Sequence, residues 1–226
     1  KIKRMEYNPE KHHRRSIRLQ GYDYTKAGAY YVTICTQGRV CLFAEVWDEI
    51  VRLNSFGKIV QVCWDDLMRH FLHVRLDSFV VMPNHVHGII IITDCDDCRG
   101  EAFVNQGQSV SSLHGDTNAS PLQHGTRSGS LGAIIQNFKS VSTRKVNKMK
   151  KTHGNSLWQR NYYEHIIRNE KSLNTIRRYI KFNPSMWAYD SDNPGATRLS
   201  TEKIRNAMIQ YYDFTDEECD IITNFK

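Results

Sequence analysis

Apolar and polar positions follow a strand-like pattern in several short stretches of the chain. β-Branched and aromatic residues dominate 29–36, which predicts a β-strand. Shorter apolar runs, also predicted as strands, occupy 41–46, 78–82 and 85–93. Pro83 and Asn84 form a turn signal between the last two runs, so these runs predict a hairpin or another tight connection. A further strand-like stretch lies within 157–168.

Apolar residues recur at helical spacing in three other segments. The predicted helices cover 51–71, 131–148 and 169–184. In the third segment Asn169 has the side chain of an N-cap, Glu170 suits a first helical turn, and Pro184 stops the helix. The resulting element order, β-β-α-β-β-α-β-α, predicts an α+β fold with a mainly antiparallel sheet packed against helices.

Residues 94–128 show neither the alternation of a strand nor the apolar spacing of a helix. The segment is rich in Gly, Ser, Asn, Gln, Asp and His, so we predict a flexible, solvated insertion. It carries Cys95 and Cys98 at the spacing of a zinc-ligand pair. A structural zinc site needs a second pair, and the sequence has none at suitable spacing.

Composition narrows the class of protein further. A chain of 226 residues with 40% hydrophobic residues can bury a substantial core. No run approaches the ~20 apolar residues of a membrane-spanning helix, and the basic start lacks the apolar segment of a signal peptide. The six cysteines are scattered, which is typical of a reducing compartment rather than of a disulfide framework. We therefore expect a cytoplasmic protein with no membrane partner.

The net charge of +7 is unevenly distributed. Residues 1–26 hold eight Lys or Arg against three acids, and 134–182 hold twelve against two, whereas 190–226 hold eight acids against four bases. We accordingly predict a basic amino-terminal arm at 1–27, a folded unit at 28–189 and an acidic carboxy-terminal extension at 190–226. The basic segments indicate a polyanionic partner, most simply nucleic acid, although a solvated basic face would explain the charge as well.

His85 and His87 interrupt an otherwise apolar predicted strand, one residue apart. Alternate side chains of a strand face the same way, so both imidazoles should project from one face and Val86 from the other. This arrangement suits two ligands of one metal ion. Two half-exposed histidines on a polar sheet face are the alternative interpretation.

Tyr179 and Asn183 are four residues apart, so they lie one turn from each other beside the apolar stripe of the third predicted helix. If that side faces the sheet at His85 and His87, two imidazoles, one amide oxygen and a tyrosine hydroxyl form one site. A half-buried core tyrosine and an asparagine that caps the helix before Pro184 would explain the same residues without a site.

Three motifs in this order, "MPNHVHGII", "LWQRNYYEHIIRNE" and "IRRYIKFNP", resemble the REP-associated tyrosine transposases. These enzymes belong to the wider family of single-tyrosine transposases with a His-hydrophobe-His motif. The resemblance covers roughly 28–184, apart from the insertion at 94–128. It implies the fold of that family, an antiparallel sheet in ferredoxin-like order flanked by helices.

The resemblance also implies roles for individual residues. His85 and His87 would hold a divalent cation, Mg²⁺ or Mn²⁺, with Asn183 as a third ligand. Tyr179 would attack a phosphodiester of single-stranded DNA, giving a 5′-phosphotyrosine and a free 3′-hydroxyl. A second 3′-hydroxyl could then rejoin strands without ATP. The unit at 28–189 would thus be the catalytic domain of a metal-dependent endonuclease and transposase.

Recognition of DNA hairpins is typical of the family, so single-stranded or hairpin DNA is the expected partner. Trp158, Tyr162 and Tyr163 could stack on bases, or could simply belong to the core. A monomer and a homodimer are both compatible with the resemblance, and the protein would associate with the nucleoid when bound to DNA. The predicted phosphate-contacting residues are Arg14, Arg15, Arg18, Lys139, Arg144, Lys145, Lys148, Lys150, Lys151 and Arg160.

Two other hypotheses remain open on the sequence. A domesticated hairpin-binding protein without catalysis predicts the same basic surface but no covalent adduct. A histidine phosphoesterase of the two-motif type needs two HxT or HxS motifs, and only His124-Gly125-Thr126 fits, inside the insertion. Within the transposase hypothesis, Tyr162, Tyr163 and Tyr189 are alternative nucleophiles.

Overall fold

A four-stranded antiparallel sheet forms the centre of the fold in the computed structural model, which describes residues 19, 21–94 and 126–224. The sheet order is β4-β5-β1-β6, and every neighbouring pair is antiparallel. A separate two-stranded hairpin is formed by β2 and β3. The strands are β1 Gly28–Cys35, β2 Ala44–Trp47, β3 Ile50–Leu53, β4 Val74–Val81, β5 His85–Ile92 and β6 Tyr163–Ile167.

Six helices accompany the strands in the described part of the chain. They are α1 Ser55–Asp65, α2 Leu67–His70, α3 Leu131–Lys150, α4 Glu170–Phe182, α5 Thr201–Tyr212 and α6 Asp216–Asn224. None of these helices has the length and apolar character needed to cross a membrane. The core order β1-α1-β4-β5-α3-β6, with this sheet order, is the ferredoxin-like arrangement. The predicted α+β fold with an antiparallel sheet flanked by helices is confirmed.

The sheet buries both of its faces, because strand side chains alternate. From β1, Tyr30, Val32 and Ile34 join one core with residues of α1 and α3. Tyr31 points the other way and joins a second core with α4, α5 and α6. The sheet therefore lies between two helical layers, and its α4-facing side is where a buried site can form.

The predicted helix at 51–71 was wrong at its start and in its continuity. Residues 50–53 form β3, and the helix begins after Asn54, whose side chain accepts hydrogen bonds from the backbone N–H groups of Phe56 and Gly57. The helical segment is then divided into α1 and α2 at Asp66. Leu53 and Phe56 satisfy helical spacing, but Val51 and Leu53 also fit a strand, and the preceding turn at Asp48 and Glu49 closes the hairpin with β2.

The strand-like stretch at 157–168 is also shorter than predicted. Only β6 joins the sheet, and the residues before it make one isolated bridge, between Thr36 and Trp158. The acidic extension was given no elements from sequence, yet α5 and α6 pack against α4 through apolar side chains. Arg178 of α4 donates to Glu218 at 2.5 Å and to the backbone oxygen of Asp213 at 2.9 Å, which fastens this extension to the core.

Several predicted features lie outside the described residues: most of the basic arm, most of the insertion, and the Cys95–Cys98 pair. In the part that the structure covers, Cys35, Cys41, Cys63 and Cys219 have free thiols.

Gly88 of β5 lies where α1 comes closest to the sheet. Trp64 stacks on Phe79 with ring centroids 4.2 Å apart, and its indole covers Gly88. A Cβ at Gly88 would stand 2.4 Å from the Trp64 ring and 2.9 Å from the Phe79 ring. The absence of a side chain at this position therefore allows α1 to pack on the strand that carries both histidines.

Gly88→Ala should lower the free energy of unfolding by about 1–3 kcal/mol, because overpacking displaces two rings in a dense core. Urea denaturation measures the change. Gly195→Ala is the matched control, since a Cβ there approaches nothing closer than 3.6 Å. The control should stay within about 0.5 kcal/mol of the unmutated protein. Equal stability of both variants would mean that Trp64 does not pack this tightly on β5.

Candidate metal and tyrosine site

His85 and His87 project together from the α4-facing side of β5. Both are buried, so they are not the half-exposed histidines of the alternative interpretation, and Val86 between them belongs to the opposite core. Their Nε2 atoms are 3.0 Å apart. Two imidazole nitrogens that converge in this way lie close enough to act on one ion.

The Asn84 side chain orients the first imidazole. Its Nδ2 donates to the backbone oxygens of Arg39 and Asp192, at 2.9 and 2.6 Å. Oδ1 therefore faces His85 Nδ1 at 2.9 Å and, being an acceptor only, takes the proton on that nitrogen. The tautomer with Nδ1 protonated turns the Nε2 lone pair toward His87, which is the form that a metal ligand needs.

The second imidazole is held by the neighbouring strand. Thr33 on β1 is the register partner of His87, and its Oγ1 lies 2.8 Å from His87 Nδ1. The Tyr31 hydroxyl lies 2.7 Å from the same nitrogen. Sequence analysis missed both β1 residues. Their signal was the alternation of polar positions along 31, 33 and 35, which places them on one face of a predicted strand.

Tyr179 comes to the histidines from α4. Its ring centroid is 5.6 Å from that of His87 and 6.3 Å from that of Tyr31, and only 5% of the residue is exposed. Burial raises the pKa of the Tyr179 phenol above its usual value, and the nearby Asp190 carboxylate adds to that rise. A hydrogen bond from Asn183 acts in the opposite direction.

Asn183 combines the two roles that sequence analysis treated as alternatives. It is the C-cap of α4, and its backbone N–H donates to Ile180. Its side chain is buried against Tyr179, and among the described residues Oδ1 finds no hydrogen-bond donor. A buried acceptor left in this state is unfavourable, and a cation would satisfy it.

Asp190 is a site residue that the sequence analysis did not identify. One carboxylate oxygen and one nitrogen from each of His85 and His87 lie within 4.8 Å of one another. The residue begins the acidic extension and follows a short 3-10 turn, Trp187–Tyr189, so no helical or strand period pointed to it. In the sequence, Asp190 is one of eight acidic residues in 190–226, and nothing in the local pattern distinguishes it from the other seven.

The donors present fit a divalent cation. Two imidazole nitrogens, one carboxylate oxygen and one amide oxygen are ligand types that first-row divalent metals accept, and the oxygens also suit Mg²⁺. The unsatisfied Oδ1 of Asn183 supports the same conclusion. The donor set does not by itself select one metal.

A cavity of about 350 Å³, here called the site cavity, opens in front of these residues. A second cavity of about 560 Å³, here called the α3 groove, lies between α3 and residues 156–162. Gln159 and Tyr162 line both, so the two cavities adjoin. The site cavity is lined by Tyr31, Thr33, Cys35, Arg39, His87, Gln159, Asn161, Tyr162, Tyr163, Tyr179, Asp190, Ser191 and Asp192.

The predicted DNA-binding side chains have different environments. Lys139 donates to the backbone oxygens of three residues, 159–161, and Lys145 pairs with Asp66 at 3.7 Å. Lys150 lies over the Phe56 ring at 5.0 Å. Arg144 and Arg160 are exposed and line the α3 groove, and Lys148 and Lys151 are exposed at the carboxy-terminal end of α3. Arg14, Arg15 and Arg18 lie outside the described residues.

The other aromatic residues named in the sequence analysis lie in three different environments. Trp158 is core, and its Nε1 donates to Ser142 Oγ at 2.9 Å. Tyr162 and Tyr163 are half-buried and line the site cavity. Tyr189 is exposed and faces a different cavity, between residues 189–199 and the terminal helices.

A bidentate ion pair fixes α4, and with it Tyr179, on the edge of the sheet. Arg177 Nε and Nη2 donate to the two carboxylate oxygens of Asp77, at 2.9 and 2.7 Å. Asp77 lies at the register shift of β4. The Arg177 guanidinium holds the pKa of the Asp77 carboxyl below its ordinary value.

Sequence comparisons find similarity to a family model and to other proteins. A family model described as IS200-like transposase matches residues 122–183, a stretch that contains α3, β6, α4 and Tyr179. An uncharacterised protein from Haemophilus influenzae is 40% identical over 184 residues, 81% of this chain and 95% of that protein. A second protein from that organism, provisionally named a REP-associated tyrosine transposase, is 24% identical over 168 residues, 74% of this chain and 76% of its own.

Two solved structures are also similar to this chain. One is a REP-associated tyrosine transposase bound to a REP hairpin, with 18% identity, TM-score 0.47, and coverage of 75% of this chain and 73% of that one. The other, provisionally described as a transposase from Deinococcus radiodurans R1, has 17% identity, TM-score 0.35, and coverage of 73% and 95%.

The similarity to the IS200-like transposase family covers residues 122–183. The resemblance to REP-associated tyrosine transposases inferred from the three motifs is confirmed by that match and by the provisionally named relative.

Asp77→Asn should lower the free energy of unfolding at pH 7 by about 1–2 kcal/mol, because it breaks a charge-assisted pair that is only partly exposed. The folded pKa of Asp77 is held below its unfolded value of about 3.9. The stabilisation is therefore present above that value and is lost as pH falls through the folded pKa. Urea denaturation from pH 7 to pH 3 should show the difference from the unmutated protein shrinking below about pH 4.

Asp65→Asn, an exposed change on α1, is the control and should alter stability by less than about 0.5 kcal/mol. A difference for Asp77→Asn that stays constant down to pH 3 would contradict an electrostatic role for the pair.

Proposed function

We propose that this transposase is a metal-dependent single-strand DNA endonuclease and strand transferase that works through a 5′-phosphotyrosine at Tyr179. The observation that carries the proposal is the convergence of His85 and His87, with their Nε2 atoms 3.0 Å apart, beside the buried Tyr179 ring at an open cavity. All three side chains come from one chain, so the site needs no residue from a second copy.

His85, His87 and Asn183 would hold the cation. Bound there, a divalent metal supplies Lewis-acid polarisation of the phosphate and neutralises charge that develops on it. The protein keeps the two imidazoles in position through Asn84 on one side and Thr33 on the other. Rigid support of this kind is what holds ligands ready for a metal.

Tyr179 would act as the nucleophile. Its hydroxyl oxygen forms a bond to phosphorus while the bond from phosphorus to the 3′ oxygen breaks. The phenol proton leaves to solvent in the site cavity, and the 3′ oxygen takes up a proton to become a hydroxyl. The phosphotyrosine retains the energy of the phosphodiester, so a second 3′-hydroxyl can displace Tyr179 and rejoin strands.

A cation at the histidines would change the electrostatics around Tyr179. Burial and the Asp190 carboxylate both raise the pKa of the phenol. A positive charge held by His85 and His87 would act in the opposite direction and favour the phenolate.

The α3 groove gives a path for the DNA strand. It adjoins the site cavity at Gln159 and Tyr162, and Arg144 and Arg160 line its other parts. Phosphates that follow this groove would reach Tyr179 while contacting exposed cations. Hairpin DNA is the substrate that the family resemblance favours.

Tyr179→Phe should abolish the covalent protein–DNA adduct, because the ring remains and the attacking oxygen is gone. The measurement is denaturing gel electrophoresis after incubation with single-stranded hairpin DNA and Mn²⁺, alongside DNA affinity, which should be unchanged within about twofold. Tyr189→Phe is the matched control and should form the adduct normally, since Tyr189 lies outside the site cavity.

An adduct that persists in Tyr179→Phe would transfer the nucleophile role to Tyr162 or Tyr163, which also line the site cavity. Tight hairpin binding by the unmutated protein without any adduct, with either Mg²⁺ or Mn²⁺, would favour the alternative function, a non-catalytic hairpin-binding protein.

Replacement of Arg144, Lys148 and Lys151 by Gln together should weaken binding to single-stranded DNA and reduce the slope of log K against log salt by about 2, since each lost phosphate contact removes about 0.7 from that slope. Fluorescence anisotropy at several salt concentrations gives the slope. The matched control is a variant with Lys58, Arg198 and Lys203 changed to Gln, which has the same net charge. These exposed residues lie on α1, before α5 and on α5, so the slope should change less. Equal slopes of log K against log salt for the two variants would mean that the DNA does not contact Arg144, Lys148 and Lys151.

A further inference from the structure

We propose that Asp190 is a ligand of the same divalent cation as His85 and His87, so that the segment after α4 completes the metal centre. This inference rests on the proposed function, because it requires a cation at the histidine pair. It adds an anionic ligand to the set implied by the family motifs, which consists of neutral groups.

The position of the Asp190 carboxylate supports ligation. One of its oxygens lies with His85 and His87 nitrogens inside a 4.8 Å cluster. Asp190 is 9% exposed, and its Oδ1 accepts the backbone N–H of Asp192 at 2.8 Å. That bond engages one oxygen and leaves Oδ2 for another partner.

The charge of Asp190 lacks a counterion in the part of the chain that the structure describes. Asp192, two residues further on, makes the contrast: its carboxylate pairs with Arg39 at 2.7 Å. No Lys or Arg side chain forms such a pair with Asp190 among the described residues. A buried carboxylate is unfavourable unless a cation or several donors compensate it, and a metal ion at the histidines would do so.

A second, independent observation points to a ligand at the same place. Asn183 Oδ1, also buried beside Tyr179, has no hydrogen-bond donor among the described residues. One neutral acceptor beside the histidines is thus left without a donor, and the carboxylate near it has no Lys or Arg partner among the described residues. A single cation would compensate both.

The segment that carries Asp190 is held against β5 by contacts within the protein. Asn84 Nδ2 donates to the Asp192 backbone oxygen at 2.6 Å, and the Trp187 ring lies 5.9 Å from that of His85. These contacts restrict the carboxylate, which reduces the entropy lost on ligation.

The competing explanation is that Asp190 only shapes its own turn, through the bond to the Asp192 N–H. Asp190→Asn distinguishes the two roles. Asparagine retains an oxygen for that backbone bond and nearly the same shape, but it removes the negative charge. A turn role should survive the substitution, whereas an anionic ligand should not.

The experiment is titration of the metal-free full chain with MnCl₂ in the absence of DNA, with free Mn²⁺ measured by electron paramagnetic resonance. Asp190→Asn should weaken Mn²⁺ binding at least about tenfold, because affinity at such sites depends on the number of charged ligands. Asp213→Asn is the matched control and should change affinity less than about threefold, since this exposed residue makes the same charge change outside the site cavity. His87→Ala should lose most of the binding.

Thermal unfolding provides a readout that a turn role would not produce. Without metal, Asp190→Asn should unfold at the same temperature as the unmutated protein or higher, because it removes a buried uncompensated charge. With saturating Mn²⁺ for the unmutated protein, the variant should gain less stability, in line with its weaker affinity.

Unchanged Mn²⁺ affinity in Asp190→Asn, with binding lost in His87→Ala, would overturn the role of Asp190 and leave the proposed metal centre intact. An equal loss in Asp190→Asn and Asp213→Asn would also overturn it, since net charge rather than ligation would then be responsible. Unchanged binding in His87→Ala would instead overturn the proposed metal centre, and the role of Asp190 with it.

Discussion

The pairing of β5 with β1 is the interaction on which the site depends. This antiparallel register sets Thr33 opposite His87 and Cys35 opposite His85, so the polar face of one strand meets the imidazoles of the other. A shift of one residue would exchange the two faces of β5 and send both histidines into the α1–α3 core. Trp64, packed over Gly88 on the opposite face, opposes such a shift because other residues of β5 could not admit the indole.

The strand pairing holds the His87 imidazole through Thr33, and the turn before β5 orients the imidazole of His85. Asn84 is committed to two backbone oxygens through Nδ2, so its Oδ1 has a single orientation toward His85. One of those oxygens belongs to Asp192 in the acidic extension. The orientation of the His85 imidazole is therefore coupled to a segment that follows α4, and the extension contributes to the site as well as to the core.

Sequence periodicity could predict what each element contributes by itself. The two-residue period placed His85 and His87 on one face, and the helical period placed Tyr179 and Asn183 on one side of α4. Contacts between paired strands could not be predicted in this way. Thr33 and His87, for example, are 54 residues apart in the sequence, and they meet only because of the strand register, which no local pattern encodes. Asp190 lies in irregular backbone, where neither period applies. The hairpin at β2–β3 was missed because Leu53 fits both periods.

The site also explains why so many polar groups are buried here at a cost to stability. His85, His87, Asn183 and Asp190 are all buried, and an apolar core of the same volume would avoid their desolvation. The proposed cation would compensate part of that cost, since Asn183 Oδ1 has no hydrogen-bond donor among the described residues. The Arg177–Asp77 pair and the packing of α6 on α4 hold the helix against this unfavourable cluster. These two contacts therefore stabilise the position of α4, and with it Tyr179, beside buried polar side chains that give the apolar face of the helix little to pack against.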